Sequence, residues 1–342
     1  MFEPKYIISD QTTLTLSALE RLTASLSLLS IPVQVLDHIQ KQCLVALTHF
    51  STRIEGNRLS MEQVSGVVER HQSYGLPRDE KEVKNYFRLL QKTPELIRQH
   101  GKKIDEGLVL KCHSRILDQA ASENVPAGFR NMQNAIYDST TGKLVYLPPE
   151  PQEVPSLVGD LCQWANTAKV HPVILAGIFH SQFVTVHPFV DGNGRTARFL
   201  SLYLLQIKGY DWRQIVPIDR YYADDRASYY EGLQQDYSHN YYEGRNETDF
   251  TKWIEYYVNG IRSVLEGTLN QVELFRTRNI LQNNRQSKIL EYLKKNKYVT
   301  ASHYSRRFGI SIRMATRDLR QLVDWNRLTV IGKGRATRYF VK

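Results

Sequence analysis

The sequence predicts a mainly α-helical body with one small β-hairpin flap, followed by a separate basic C-terminal module of helices and a second hairpin. Three observations carry this. Apolar residues recur at steps of three and four over long stretches before residue 276. A single turn-rich stretch between Gly128 and Glu150 breaks that pattern. Residues 285–342 hold fifteen Lys and Arg against only Glu291, Asp318 and Asp324, so the net charge of +10 resides in the last segment and the remainder is slightly acidic.

The elements follow in order. After Pro32, the spacing of Leu36, Ile39, Cys43, Leu47 and Phe50 predicts a helix from Leu36 to about His49. Similar spacing predicts helices over 80–90 and 107–117. Between Gly128 and Glu150, two β-prone runs flank Asp138-Ser139-Thr140-Thr141-Gly142 and stop at Pro148-Pro149, the signature of a hairpin flap. Pro172 opens a strongly apolar helix with Ala176, Phe179, Phe183 and Val186 on one face, ending at His187-Pro188 because proline disfavours helical geometry in the residue before it. A further helix is expected from about Gly194 to Lys208, with Gly209 beyond its end. The paired tyrosines 221/222, 229/230, 241/242 and 256/257 read as half-buried packing. The polar run 276–287 reads as a linker. Beyond it come helices over 287–296, from Thr300, and over 312–323, then strands over 328–331 and 339–341 around Gly332-Lys333-Gly334-Arg335, which together describe a winged helix-turn-helix.

Composition narrows the class. With 342 residues, 42% hydrophobic and 23% charged, the chain suits a globular protein of two domains, or three, and excludes disordered or collagen-like classes. The longest apolar run, Val173 to Phe179, is far too short to span a membrane, and the N-terminus lacks a signal-peptide pattern, so no membrane partner and a cytoplasmic location are expected. Cys43, Cys112 and Cys162 have neither disulfide nor zinc spacing and read as buried thiols.

Candidate chemistry concentrates in His187 to Arg198, HPFVDGNGRTAR. Backbone amides of a Gly-Asn-Gly turn at a helix N-terminus suit phosphate oxygens. Arg195 and Arg198, three residues apart, can clamp further phosphates from one side of that helix. Asp191 is a hard oxygen ligand suited to Mg²⁺, and His187 can take a proton from an incoming hydroxyl. Singly, each residue has an ordinary explanation as a cap, a turn or a solvated charge. A base, a metal ligand, an anion nest and a phosphate clamp within twelve residues are hard to explain as packing.

This stretch resembles the core motif of Fic-domain proteins, and the resemblance extends to the preceding apolar helix and to the flap, through GFRN and YLPPEPQEVPSL. It places a Fic-like body at roughly residues 35–265, and the whole chain then divides into an N-terminal helical region over 1–100, a catalytic core over 101–275 and, from the residue pattern, the winged helix over 285–342. What the resemblance implies is transfer of AMP from ATP to a Ser, Thr or Tyr hydroxyl of a target protein. His187 would be the general base and Asp191 would hold Mg²⁺. Gly192, Asn193 and Gly194 would bind the α-phosphate, Arg195 the β-phosphate and Arg198 the γ-phosphate. Lys143, Leu144, Val145 and Tyr146 of the flap would align the target by strand addition. Tyr229 and Tyr230 would line the base pocket or simply pack.

Upstream, Ser51-Thr-Arg-Ile-Glu55-Gly56 resembles the family's inhibitory motif. A glutamate at a helix C-terminus is electrostatically unfavourable and calls for a cationic partner, for which Arg198 is the candidate. The same site could instead remove AMP, with Glu55 positioning a water, or transfer another phosphate moiety. A nucleotide-sensing transcriptional regulator is the alternative from another class. In the basic module, Arg313, Arg317, Arg320, Lys333 and Arg335 suit duplex DNA, while winged helices also dock proteins or dimerise, so homo-oligomer formation stays open.

Overall fold

The computed structural model describes residues 2–118, 128–137, 142–234, 238–324, 327–332, 334 and 337–341. The chain divides into two compact units, Met1–Ser30 with Asp37–Thr268, and Ile31–Leu36 with Leu269–Lys342.

The first unit is helical. Its helices are α1 (Asp10–Leu28), α2 (Val33–Ile54), α3 (Met61–Glu69), α4 (Pro77–Gln91), α5 (Thr93–His100), α6 (Glu106–Leu117), α7 (Val154–Thr167), α8 (Pro172–Val186), α9 (Asn193–Ile207), α10 (Asp219–Asp224), α11 (Arg226–Gln234) and the start of α12 (Thr251–Lys295). A hairpin of β1 (Ile136–Tyr137) and β2 (Leu144–Tyr146) interrupts them. It is antiparallel, with Ile136 opposite Tyr146 and Tyr137 opposite Leu144. The turn expected at Asp138-Ser139-Thr140-Thr141 lies outside the described residues.

Helix α8 is the centre of the core. Pro172 opens it, the His171 ring accepts a bond from the Val173 amide at 3.2 Å, and thirteen of its fifteen residues are buried. Burial on every side suits a core helix rather than a surface one. Gly177 lets α12 approach closely: a methyl there would lie 2.9 Å from the Tyr257 ring, and the Trp253 indole donates to the Gly177 carbonyl at 2.6 Å. His187 then takes a left-handed conformation at φ 50°, turning the chain out of the helix. Three free cysteines are buried, as their spacing suggested.

Each tyrosine pair puts one ring in the core and leaves its neighbour more exposed. Tyr222, Tyr229, Tyr241 and Tyr257 are buried, while Tyr230 and Tyr242 are exposed. Within the N-terminal region expected to be helical over 1–100, the structure adds α1, which no particular spacing had marked and which Ser9 caps by accepting from the Thr12 amide at 3.2 Å.

The second unit contains the end of α12, then α13 (Ala301–Phe308), α14 (Ile312–Asp324) and the antiparallel hairpin of β3 (Leu328–Ile331) and β4 (Arg338–Val341). Ile289, Leu293, Tyr304, Ala315, Leu319 and Tyr339 form its core. The linker expected at 276–287 is instead part of α12, which runs unbroken through it. That run contains neither Gly nor Pro, so nothing in its backbone chemistry stops a helix despite its polar surface. Lys333 and Arg335 lie outside the described residues. Among the described residues, no helix is long and apolar enough to cross a membrane.

Candidate active site

The site forms where α8 ends and α9 begins. Gly192 precedes α9 at φ 80°, which a side chain would resist, and no side chain caps the helix, so the amides of Asn193 and Gly194 stay open to an anion, while the Gly192 amide donates to Asp191 Oδ1 at 2.5 Å. The loop between the helices is braced from several directions. Asn193 donates from its side chain to the Phe189 carbonyl at 2.8 Å and accepts from the Phe189 amide at 2.9 Å. His113 of α6 stacks on Phe189 at 3.5 Å and donates from Nε2 to the Asp191 carbonyl at 2.9 Å. Both ends of the Asn193 side-chain amide hold the loop, so it is the backbone amide of this residue that is left for an anion.

His187 is half-buried, and its Nδ1 lies 3.2 Å from the Val184 carbonyl. This contact assigns the proton to Nδ1 and leaves Nε2 as the basic atom. Burial pushes the imidazole down to about 4, with the Arg130 charge acting in the same sense and the Val184 bond opposing both. The ring is therefore neutral at neutral pH, the state a general base requires.

Sequence reasoning gave Arg130 no role of its own, although it stands in the GFRN stretch. Its guanidinium, almost fully buried, donates to the carbonyls of His187 (2.9 Å) and Pro149 and to Gln133 Oε1 (2.9 Å). Its amide donates to the Pro188 carbonyl at 2.9 Å. One side chain thus ties the flap's exit to the histidine loop.

Both motif arginines are buried, contrary to the ordinary solvated explanation. Arg195 lies 3.1 Å from Asp191 Oδ1 and 3.6 Å from Glu82 Oε1, and its Nε and Nη1 have no hydrogen-bond partner. Unsatisfied N–H groups on a buried cation are costly and leave donors ready for an anion. Glu82 of α4 carried no sequence signal; it also accepts from Asn57 at 3.1 Å, just beyond the α2 turn.

Arg198 is enclosed on several sides. It donates from Nε to the Ser51 hydroxyl at 2.9 Å, from Nη2 to the Ser51 carbonyl at 2.9 Å and to Glu55 Oε1 at 2.7 Å, and from Nη1 to the Tyr229 hydroxyl at 3.3 Å. Burial alone would raise the Glu55 pKa, but the guanidinium groups of Arg198 and Arg195 overcome this and hold it below the usual carboxylate value. The Glu55 carboxylate also lies against Gly194, where any side chain would collide with it. It therefore sits at the positive end of α9, where an anionic ligand would be favoured. The structure thus brings Ser51, Glu55, Gly194 and Arg198 together across almost 150 residues of sequence, with Gly56 (φ 93°) turning the chain away from α2.

Tyr229 is buried among aromatic rings, whereas Tyr230 is exposed and donates from its hydroxyl to the Ile54 carbonyl at 3.3 Å. In the flap, Lys143 and Leu144 are exposed and Val145 is half-buried. Tyr146 points inward and donates to the Thr185 carbonyl at 2.7 Å, so it anchors the flap on α8 instead of presenting a docking surface.

Fold and site together define a helical domain built around an anion-ready helix N-terminus with a neutral histidine at its rim. Residues 103–205 match the Fic/DOC family, and the chain carries a Fic domain. It is 27% identical to protein adenylyltransferase fic-1 of Caenorhabditis elegans over 58% of this chain and 37% of that protein. It is 28% identical to protein adenylyltransferase Fic of Drosophila willistoni over 64% of this chain and 42% of that protein. The match thus spans less than half the length of these relatives. A crystal structure of a Fic family protein from Desulfovibrio desulfuricans G20 shares the fold, with a TM-score of 0.66 at 20% identity, covering 100% of this chain and 98% of that one.

Proposed function

We propose that the protein transfers AMP from ATP to a Ser, Thr or Tyr hydroxyl of a target protein, and that Glu55 restrains this activity. The observation that carries the reading is the anion cradle: an uncapped α9 N-terminus beside a buried Arg195 whose Nε and Nη1 make no hydrogen bond. The adenylyltransferase relatives support the choice of nucleotide.

In the proposed reaction, His187 takes the proton from the target hydroxyl as that oxygen bonds to the α-phosphorus, and the bond to the pyrophosphate oxygen breaks. The amides of Asn193 and Gly194, joined by that of Gly192 once it is released from Asp191 Oδ1, bind the α-phosphate as charge develops on it, Arg195 binds the β-phosphate, and Arg198 fixes the γ-phosphate. Asp191, with its side chain 39% exposed, fits Mg²⁺ as one hard oxygen donor, the nucleotide phosphates supplying others. Bound there, Mg²⁺ would neutralise charge on the departing pyrophosphate. Leu144 and Lys143 align the target on the flap.

Inhibition follows from the 2.7 Å Glu55–Arg198 pair: an arginine held by a carboxylate cannot also clamp the γ-phosphate, so ATP binds misaligned. The three free cysteines support a reducing, cytoplasmic setting. For the second unit, the proposal is a winged helix that binds duplex DNA, because Arg313, Arg317 and Arg320 share the exposed face of α14 opposite buried Ala315, Leu319 and Leu322.

The deciding experiment incubates the protein and candidate targets with ATP labelled at the α- or the γ-phosphorus. Stable label from the α position alone is expected. Label from the γ position would mean phosphoryl transfer, and label from neither, with loss of AMP from a pre-modified target, would mean the reverse reaction.

A further inference from the structure

Besides Glu55 and Ser51, Arg198 reaches a set of buried groups that the proposed reaction does not use. The Tyr229 hydroxyl, 3.3 Å from Arg198 Nη1, lies 2.9 Å from His180 Nε2. His180 is fully buried in α8, with Tyr222, Tyr229, Trp253 and Tyr257 packed around its ring. Beside it is a cavity of about 10 Å³ lined by His180, Arg198, Ser201, Asp219, Tyr222 and Tyr257, together with apolar side chains.

A guanidinium only donates, so the Tyr229 oxygen accepts from Arg198. Of the two tautomers that the 2.9 Å contact with His180 allows, the one in which Tyr229 donates to Nε2 gives the hydroxyl proton an acceptor, and the relay is built on it. Nε2 is therefore bare. Burial, reinforced by the Arg198 charge, pushes the His180 imidazole down to about 3, so the ring is neutral and its one proton lies on Nδ1. That Nδ1 is buried and has no hydrogen-bond partner in the protein. A buried N–H is rarely left without an acceptor, and a polar cavity with room for about one water molecule is where a water is retained. Asp219, buried on the same cavity, supplies a carboxylate to receive that water's proton.

We propose that this cavity holds a single water that accepts from His180 Nδ1 and donates to Asp219, completing a relay through His180 and Tyr229 to Arg198. His180 is then a positioning residue for the arginine. Its arm of the network does not involve Glu55, so it keeps the guanidinium oriented when the glutamate leaves. The functional half of this proposal rests on the reading of Arg198 as the γ-phosphate clamp.

Two measurements on the full wild-type chain need no turnover and so stand apart from that reading. Nitrogen NMR of the histidine-labelled protein should show His180, assigned by its loss in His180→Gln, protonated at Nδ1 and bare at Nε2. The opposite tautomer would overturn the relay. A crystal structure should show one ordered water within hydrogen-bond distance of Nδ1 and an Asp219 oxygen, and an empty cavity would equally overturn it. In a Glu55→Gly background, His180→Gln should raise KM for ATP roughly tenfold with kcat changed less than about threefold. A fall in kcat at unchanged KM would mean a merely structural histidine. If that variant fails to fold, the two wild-type measurements decide.

Discussion

His187 is held in an unusual state for a histidine. Its imidazole has a pKa of about 4, below the ordinary 6.5, because burial and the Arg130 charge disfavour the cation. A base with a depressed pKa is active above that value and lost as pH falls through it. Transfer should therefore persist through pH 6.5 and decline only as pH approaches about 4, which a pH–rate profile of kcat/KM will test. A break near the ordinary histidine value would show that the ring is solvated in the working enzyme. His187→Ala should reduce transfer about 10²- to 10⁴-fold while ATP binding survives, since in the proposed reaction the imidazole acts on the target hydroxyl and not on the nucleotide. Calorimetric titration with ATP separates this from a collapsed loop. The residues of this motif were legible in the sequence because their chemistry is packed into twelve consecutive positions. His113 and Glu82 were not, because neither carries a local signal: one acts by stacking on Phe189, the other by facing Arg195 from another helix.

At the scale of elements, the proposed restraint acts through the contact between α2 and α9, the 2.7 Å Glu55–Arg198 pair. Glu55→Gly should raise AMP transfer, including self-modification, by freeing Arg198. The gain should vanish in the double variant with Arg198→Ala, because both substitutions act through one interaction. Near-wild-type transfer in the single variant would mean that the 2.7 Å pair restrains nothing. A second junction joins the flap to the end of α8 through Arg130. Its guanidinium serves three backbone carbonyls, of Met132, Pro149 and His187, and a glutamine, so Arg130→Ala leaves several acceptors unpaired and should destabilise the protein by about 2–4 kcal/mol. Denaturant midpoints at constant m-value will measure this.

At the scale of the whole chain, charge separates the two units. The excess of basic residues belongs to the C-terminal segment, whose α14 carries Arg313, Arg317 and Arg320 on its exposed side. On the proposed reading, the protein should bind duplex DNA with a steep inverse salt dependence, about −0.9 in the log–log slope per phosphate contact, and Arg313→Glu with Arg317→Glu should abolish it. A folded protein that ignores DNA at low salt would assign this unit to protein docking.

Sequence alone determined the helical class, the ends of α8 and α9, the hairpin flap and the anion-binding motif. Each depends on neighbours within one or two turns: proline at a helix start, glycine at a left-handed position, apolar residues at steps of three and four. It also offered Arg198 as the candidate partner of Glu55, from the resemblance of Ser51 to Gly56 to an inhibitory motif together with the unfavourable charge at a helix end. Only the tertiary structure decided that Arg198 is enclosed by Ser51 and Tyr229 as well, and that Tyr146 anchors the flap. It alone decided that 276–287 is helical and that His180 has a buried nitrogen without a protein partner. Enclosure and unmet hydrogen bonds arise from groups distant in sequence, and periodicity records which face of a helix is buried but not what it is buried against.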